Sequence, residues 1–214
     1  MGSYEKEVKD LIKENKPLPS KLDITLVEYF WQANPFFASK KDSIPRFLRK
    51  VEVLKNFTDN ELRIFSRYMH LRTFADGERV FQQNDLGVGF YFIFGGRIDI
   101  VVGESVEKGE EHERHIVSLD RGDYFGEMAL LQEQSVRNAS AVSVETTQLI
   151  GLFKPDLENM MADYPLIATK LLQAISVIIA TRLFSLTKEV RRLKHKIKVL
   201  KNERDENKRK NEKA

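Results

Sequence analysis

Residues 90–102 read FYFIFGGRIDIVV, two short runs of aromatic and β-branched residues joined by Gly95 and Gly96. Such runs favour β-strands, and glycines between them are typical of a tight turn. Strands this short and this closely spaced indicate an antiparallel barrel or sandwich rather than a parallel sheet with crossover helices. Similar runs predict further strands at residues 72–74, 79–82, 115–119, 140–144 and 148–153.

Helical patterns flank the predicted strands. Before them, Thr58 followed three residues later by Glu61 is the pattern of a capping box that starts a helix. After them, a short helix over residues 155–163 precedes a long helix that runs from Leu166 at least to Leu200. We therefore predict a mixed α+β fold: an antiparallel β-roll (jelly-roll barrel) of about eight strands, with flanking helices and a long C-terminal coiled-coil helix.

The pattern predicts three regions along the chain. Residues 1–45 form an N-terminal helical extension, residues 46–165 form the β-roll domain with its helices, and residues 166–214 form the long C-terminal helix. Within the extension, the Lys- and Glu-rich residues 1–20 predict a mobile arm or a peripheral helix. The apolar residues 24–37 predict a helix that packs on the main body or covers the groove of a partner.

The composition excludes several classes of function. The 214 residues include no cysteine, which excludes a disulfide scaffold, an iron–sulfur cluster and a cysteine nucleophile. The four histidines have no matching acidic partners, so no metal site is expected. No P-loop and no G-x-S-x-G motif is present, so we expect no catalytic residues and no enzyme.

Nothing in the sequence predicts a membrane span or a secretory signal. The longest uninterrupted apolar runs, residues 89–94 and 174–180, fall well short of the roughly 18 residues of a spanning helix. The first residues lack an apolar signal core, and the expected compartment is the cytoplasm.

Residues 124–140, YFGEMALLQEQSVRNAS, carry the chemistry of the predicted barrel. Gly126 and Glu127 begin a short helix, and the N–H groups at a helix start attract anions. The Glu127 carboxylate suits a sugar hydroxyl, and the Arg137 guanidinium suits phosphate oxygens. These residues describe a site for a compact nucleotide, although a Glu and an Arg at this spacing also form ordinary surface ion pairs.

This segment resembles the phosphate-binding cassette of the cyclic nucleotide-binding domain family. That family includes catabolite-activator-type regulators, kinase A regulatory subunits and cyclic-nucleotide-gated channels. Residues 125–130 and 137–140 follow the order and spacing of the cassette. Upstream, residues 85–98 resemble the glycine turn and paired strands of the family, and residues 74–81 resemble its first β-turn. The resemblance extends over about residues 45–190.

The resemblance implies how a cyclic nucleotide is held. Glu127 would accept a hydrogen bond from the ribose 2′-hydroxyl beside the Gly126 backbone, and Arg137 would pair with the cyclic phosphate. The N–H of Ala139 would bind another phosphate oxygen. The implied ligand-binding residues are Gly126, Glu127, Met128, Ala129, Arg137, Asn138, Ala139 and Ser140, and the candidates for capping the base are Thr181, Arg182 and Ser185.

Three residues depart from the family pattern. Asn84 stands where the family often has Gly, and Val88 stands where it often has Asp, and both positions concern the turn more than the site. Asn138 stands where members often carry Ala, Ser or Thr, near the phosphate and the base. An Asn amide can both donate and accept, so this position leaves the choice between cAMP and cGMP open. The expected ligand is cAMP, with cGMP as the second candidate, and no other cofactor is expected.

The long C-terminal helix follows one heptad pattern with Leu at the d positions. This choice, with β-branched residues at later a positions, favours a parallel two-stranded coil and hence a homodimer. The alternative is that residues 172–186 pack on the barrel instead. The predicted dimer contacts are Leu172, Ile179, Leu183, Leu186, Val190, Leu193, Ile197 and Leu200.

The net charge of +3 is unevenly divided along the chain. Residues 188–214 contain 12 Lys or Arg and 5 Asp or Glu, a net charge of +7, which leaves −4 for residues 1–187. A basic helical end attracts nucleic acid or an acidic membrane surface, but mixed charges outside a coil are more often a solvated face. We expect a basic tail after about residue 200 and do not expect DNA as a partner.

These features predict a non-catalytic sensor of cyclic nucleotides. Ligand binding in the cassette would rearrange the C-terminal dimer helix and so signal to an effector protein that the sequence does not identify. Two alternatives remain: a degenerate domain that acts as a structural or adaptor dimer, and a regulator that binds nucleic acid through its basic tail.

Overall fold

The computed structural model describes residues 4–14, 16, 44–105, 111–132 and 135–211. Its compact units are residues 1–171 and residues 172–214, and each is described by itself. The predicted helix over residues 24–37 lies outside the described residues, and the predicted domain boundaries stay predictions.

Helices precede and follow a run of eight strands. The helices are α1 (Tyr4–Lys13), α2 (Ile44–Lys50), α3 (Asp59–Ser66), α4 (Lys154–Asp163) and α5 (Pro165–Asn211), with 3₁₀ helices at Glu52–Leu54 and Glu127–Leu130. The strands are β1 (His70–Phe74), β2 (Arg79–Phe81), β3 (Gly89–Gly95), β4 (Arg97–Ser105), β5 (Glu111–Asp120), β6 (Tyr124–Phe125), β7 (Ser140–Ser143) and β8 (Thr147–Phe153).

The eight strands form two antiparallel four-stranded sheets, in the orders β1-β8-β3-β6 and β2-β7-β4-β5. The prediction of a β-roll with flanking helices and a long C-terminal helix is confirmed. The two-residue strand β6 is absent from the predicted strands, because a run this short carries no periodic signal.

Strand β3 is apolar along its whole length because both of its faces are covered. On one face the Phe92 ring lies 6.4 Å from the Phe65 ring of α3, and the Phe94 ring lies 5.0 Å from the Phe47 ring of α2. On the other face Tyr91 belongs to the buried cluster inside the barrel. The strand therefore separates the barrel interior from the helices outside it.

Helix α3 begins with the predicted capping box. The N–H of Glu61 donates to Thr58 Oγ1 over 3.3 Å, and the N–H of Thr58 donates to Glu61 Oε2 over 2.7 Å. Lys170 Nζ also donates to Glu61 Oε1 over 2.7 Å, and this bond holds the pKa of the Glu61 carboxyl below its ordinary 4.5. One carboxylate thus caps α3 and fixes the start of α5.

Two polar contacts tie α4 to the body of the barrel. His70 and Asp156 are both buried, and His70 Nε2 lies 2.9 Å from Asp156 Oδ2. Tyr68 donates its hydroxyl to Asp163 Oδ2 over 2.7 Å, and burial together with this carboxylate raises the pKa of Tyr68 to about 12. Both ends of α4 are therefore anchored by side chains that precede or begin β1.

Helix α1 enters the barrel. Val8 is fully buried in the interior cluster that includes Phe81, Tyr91 and Phe125, and Ile12 packs against the same cluster. The prediction of a mobile arm or peripheral helix for residues 1–20 was therefore wrong for α1, since a peripheral helix would leave Val8 exposed. Burying a valine side chain stabilises a fold by about 1.5–3 kcal/mol, which opposes the detachment of α1.

The second unit is the continuation of α5 from Leu172. Its predicted dimer contacts from Leu183 to Leu200 are between 45% and 64% exposed in the single chain. Glu189 pairs with Arg192 in the same helix, and the hydrogen bond from Arg192 holds the pKa of Glu189 below its ordinary 4.5. A single copy of the helix thus leaves an apolar stripe open to solvent.

Within the described part of the chain, one helix, Pro165–Asn202, is long and apolar enough to cross a membrane by length and composition alone. Gln173 and Thr181 bound the apolar run of residues 174–180, which is why a count of uninterrupted apolar runs predicts no span. The core helices of soluble proteins pass the same test, and 28% of the most apolar window is buried here.

Candidate ligand site around Arg137

Arg137 is placed by pairing between two turns of the backbone. Its N–H donates to the carbonyl of Asp85 over 2.8 Å, and its carbonyl accepts from the N–H of Asn84 over 2.9 Å. Asn84 has a φ of +70°, a left-handed value that favours glycine. The left-handed conformation accounts for a frequent Gly at this position in the resembled family. Asn84 can replace it because Asn adopts this conformation more readily than most other residues.

Gly126 leaves the space that the Arg137 side chain fills. It has a φ of +85° and lies at the start of the 3₁₀ helix Glu127–Leu130. A Cβ atom on Gly126 would lie 2.8 Å from Arg137 Nη1 and 2.9 Å from the carbonyl oxygen of Gly89. The glycine is therefore required both for its backbone conformation and for the close approach of the guanidinium.

The Arg137 guanidinium is buried and held on several sides. Nη1 donates to the Gly126 carbonyl over 3.2 Å, and Nη2 donates to the Gly89 carbonyl over 2.6 Å. The guanidinium carbon lies 4.0 Å from the centre of the Phe81 ring. Since a buried guanidinium keeps its charge, this position requires a counter-ion.

Glu5 of α1 is that counter-ion. Its carboxylate is fully buried; Oε2 accepts from Arg137 Nε over 2.8 Å, and Oε1 accepts from Arg137 Nη2. Oε1 also accepts from the N–H groups of Val88 and Gly89, over 2.9 and 2.8 Å, and from the Tyr91 hydroxyl over 3.3 Å. These five donors, two from Arg137 and one each from Val88, Gly89 and Tyr91, are called the anion cradle below.

The sequence contains a signal for Glu5 that composition alone conceals. Glu5, Val8 and Ile12 share one face of a helix because they lie at i, i+3 and i+7. A helical face that carries one carboxylate and two apolar residues fits a barrel with one buried arginine. The abundance of Lys and Glu in this segment instead favours an exposed helix, which is why the ion pair between Glu5 and Arg137 is not predicted from the sequence.

The structure brings part of the predicted cassette together. Glu127 is 3% exposed, and it follows directly on Gly126, which contacts Arg137. Ala129 is fully buried one turn later, while Met128 between them is exposed. Glu127 and Arg137 are thus both buried, one next to Gly126 in the sequence and the other in contact with it, and their binding of a ligand stays a prediction.

The residues after Arg137 diverge in their exposure. Asn138 is exposed, Ala139 is half-buried, and Ser140 is buried at the start of β7. The Ser140 Oγ accepts from the N–H of Gln83 over 2.9 Å, so this hydroxyl supports the end of β2. The predicted contact of the Ala139 N–H with a phosphate oxygen stays a prediction.

The three candidates for capping the base lie on α5 in the second unit, where all are exposed. The Thr181 hydroxyl donates to the Val177 carbonyl of its own helix over 2.9 Å. The proposed contact of Thr181, Arg182 and Ser185 with a base stays a prediction.

Metal binding has no support in the described ranges of the chain, where no group of three or more His, Asp or Glu is placed to hold a metal ion. The one buried histidine–carboxylate contact in this region, between His70 and Asp156, caps α4, because Asp156 Oδ2 also accepts from the N–H of Phe153 over 3.3 Å.

Residues 71–164 match the sequence profile of the cyclic nucleotide-binding domain family. The chain also aligns with the cyclic AMP receptor protein of Thermus thermophilus, at 35% identity over 111 residues, which cover 52% of this chain and 49% of that protein. It also aligns with the cAMP-dependent protein kinase regulatory subunit of Dictyostelium discoideum, at 33% identity, covering 53% of this chain and 34% of that protein. The matches thus span half or less of the length of these relatives.

Comparison of the fold with solved structures gives the same result. The crystal structure of the Thermus thermophilus catabolite activator protein superposes with a TM-score of 0.55 and 30% sequence identity, over 66% of this chain and 62% of that chain. Residues 71–164 therefore form a domain of the cyclic nucleotide-binding domain family, and the resemblance noted in the sequence is confirmed.

Proposed function

We propose that this chain is a non-catalytic sensor that binds cAMP, in preference to cGMP, at Arg137 and Glu127. The observation that carries the proposal is the anion cradle, whose buried Arg137 also contacts Gly126, the residue before the buried Glu127. A guanidinium suits the phosphate of a small ligand, and a carboxylate suits its ribose hydroxyl. The names of the relatives from Thermus thermophilus and Dictyostelium discoideum support cAMP as the first ligand to test.

The output of the sensor is proposed to pass through α5. The exposed apolar stripe from Leu183 to Leu200 would be covered by a second copy in a parallel coiled coil. A ligand that binds one arrangement of the cassette and helix better than another shifts the population of the dimer arrangements. The protein would act in the cytoplasm on an effector, and its basic tail would remain a solvated surface.

Calorimetric titration of the full chain with cAMP and with cGMP tests the proposal. The site assignment is tested by Glu127→Gln, with Glu158→Gln on the exposed face of α4 as the matched control. Losing a hydrogen bond to a charged group costs about 1.5–3 kcal/mol, so cAMP should bind more than about tenfold more weakly to Glu127→Gln. The control should bind like the wild type.

A ligand lacking the ribose hydroxyl sharpens this test. If Glu127 accepts from the 2′-hydroxyl, then 2′-deoxy-cAMP should bind wild type and Glu127→Gln with nearly equal affinity. An equal loss for both ligands would mean that Glu127 acts elsewhere. Absence of binding of both cyclic nucleotides to the wild type and to Glu5→Gln would refute the sensor itself.

A second function is favoured by the occupation of the anion cradle by Glu5. In this alternative the domain is degenerate, α1 fills the site permanently, and the chain serves as a structural or adaptor dimer. The same calorimetry separates the two functions, because a permanent occupant leaves no affinity for nucleotide.

A further inference from the structure

Glu5 occupies the position that an anionic ligand group needs. Arg137 reaches it through Nε and Nη2, the edge of a guanidinium that forms paired bonds with carboxylates and phosphates. The two N–H groups of Val88 and Gly89 point at the same carboxylate oxygen, as backbone donors do in phosphate-binding turns. All five donors of the anion cradle are thus used by one side chain of this chain.

The rest of α1 fills the barrel next to that position. Val8 is fully buried with Phe81, whose ring lies 4.0 Å from the Arg137 guanidinium carbon. Phe81 in turn lies 5.7 Å from the ring of Phe125, the residue before Gly126. The apolar surface beside the anion cradle is therefore covered by α1 as well.

We propose that α1 is an intramolecular occupant of the ligand site, in which the Glu5 carboxylate takes the place of the phosphate of a cyclic nucleotide. Nucleotide and α1 then exclude each other, and nucleotide binding releases α1 from the barrel. This inference rests on the proposed function, since it concerns regulation of the same site. It makes the N-terminal segment a second output of the sensor, independent of α5.

The contacts of α1 allow such a release. Among the side chains of α1 that the structure describes, Glu5 and Val8 are the fully buried ones, while Lys6, Asp10 and Lys13 are exposed. A ten-residue helix has little stability in water without tertiary contacts, so its order depends on the site that it fills. Displacement therefore requires the ligand to replace one carboxylate and a small apolar contact.

Competition makes the apparent affinity of the ligand equal to its intrinsic affinity multiplied by the fraction of molecules in which α1 is displaced. The variant Glu5→Gln keeps the shape of the side chain and removes its charge, which weakens α1 against the nucleotide phosphate. In the full chain we expect cAMP to bind Glu5→Gln at least about tenfold more tightly than the wild type. Glu14→Gln, the same change at a side chain that is 55% exposed, should leave the affinity unchanged.

Release of α1 is measured directly through a single thiol, because the chain contains no cysteine. Val8→Cys places a thiol of similar size in the barrel interior, and Asp10→Cys places one on the exposed side of the same helix. With a disulfide reagent in excess, saturating cAMP should accelerate modification of Cys at position 8 by about tenfold or more, as displacement removes its protection. Modification at position 10 should stay fast with and without cAMP.

The outcomes separate the inference from the function on which it rests. If cAMP binds but Glu5→Gln binds no more tightly, or the thiol at position 8 stays protected, then α1 does not compete and the inference is wrong. If no variant binds nucleotide, the sensor function is refuted together with the competition. In that case, exposure of the position 8 thiol by Glu5→Gln would still identify Glu5 as the residue that holds α1.

The same thiol experiment also shows whether the α1 that fills the site comes from the same chain or from a second copy. If the thiol at position 8 becomes reactive on dilution alone, α1 comes from a second copy of the chain, and the intramolecular form of the proposal is wrong. Protection that does not change with protein concentration supports an occupant from the same chain.

Discussion

Arg137 Nε donates to Glu5 Oε2 over 2.8 Å, although 132 positions separate the two residues in the sequence. The contact joins the first helix of the chain to the cassette that defines the domain family. Because both groups are charged and buried, removing either one leaves the other as a buried charge without its partner. We therefore expect the stability of α1 to depend on the residues of the proposed ligand site.

This dependence predicts unequal effects of the two residues on stability. Arg137→Ala removes two of the five donors to the Glu5 carboxylate together with its charge partner, and it removes the guanidinium donors to the carbonyls of Gly89 and Gly126. This should lower the free energy of unfolding by about 3–5 kcal/mol. Glu5→Gln should cost about 1–3 kcal/mol, since water can reach Arg137 when α1 detaches. Urea denaturation measures both. A larger loss for Glu5→Gln than for Arg137→Ala would contradict this account.

A glycine pair separates backbone strain from contact with Arg137. Gly126→Ala and Gly122→Ala both place a side chain at a left-handed φ, which costs about 1–2 kcal/mol. A Cβ on Gly122 meets nothing within 4 Å, whereas one on Gly126 lies 2.8 Å from Arg137 Nη1. Gly126→Ala should therefore be the more destabilising of the two by denaturation, and it alone should weaken cAMP binding. Equal effects in both variants would show that the close approach does not matter.

The barrel was predictable because short local patterns of residues indicate most of its strands. The aromatic and β-branched run of β3 and the capping box at Thr58 each carry their signal within a few residues, and both are confirmed. Gly126 and Arg137 could be chosen as candidates from the sequence, since one short segment contains them and the family resemblance gives their order, but their binding of a ligand stays a prediction.

Contacts between distant segments were not predictable in the same way. No periodicity links Glu5 to Arg137, and the helix that carries Glu5 has the composition of an exposed arm. The location of Glu5 follows from the burial of Arg137, which only the folded structure shows. A buried guanidinium keeps its charge and therefore needs a carboxylate beside it. The unpredicted β6 likewise exists because Tyr91 and Phe92 of β3 provide its partners.

Glu61 should contribute a stability that depends on pH. Its pKa lies below 4.5 in the folded state, mainly through the hydrogen bond from Lys170, so its contribution is present above 4.5 and is lost as the pH falls through the folded value. Glu61→Gln can keep the capping box while removing the charge. At neutral pH it should be less stable than the wild type by up to about 1 kcal/mol, and the difference should vanish in acid. Denaturation over a pH series, with Glu158→Gln as control, measures this; a difference that persists in acid would indicate a steric cause.

Tyr68 should contribute a stability that is lost in alkali. Its pKa is raised from 10.0 to about 12 in the folded state, so the unfolded chain releases its proton first. Stability should therefore fall as the pH rises from 10 towards 12. Tyr68→Phe should lose about 1 kcal/mol near neutrality with its hydrogen bond to Asp163, and it should show a shallower alkaline decline. Parallel declines in both proteins would exclude Tyr68 as the cause.

The proposed dimer depends on the apolar stripe of α5. Leu193 is 45% exposed in the single chain, and it would lie at a d position of the coil. Leu193→Asn removes a large apolar side chain from each copy, at a cost of about 2–5 kcal/mol per side chain, so the dissociation constant should rise by more than about a thousandfold. His195→Asn, at the outer f position two residues later, should leave the mass in solution unchanged. Light scattering at micromolar concentration decides the question: a monomeric wild type, or a Leu193→Asn variant that stays dimeric, would mean that the exposed stripe does not hold two copies together.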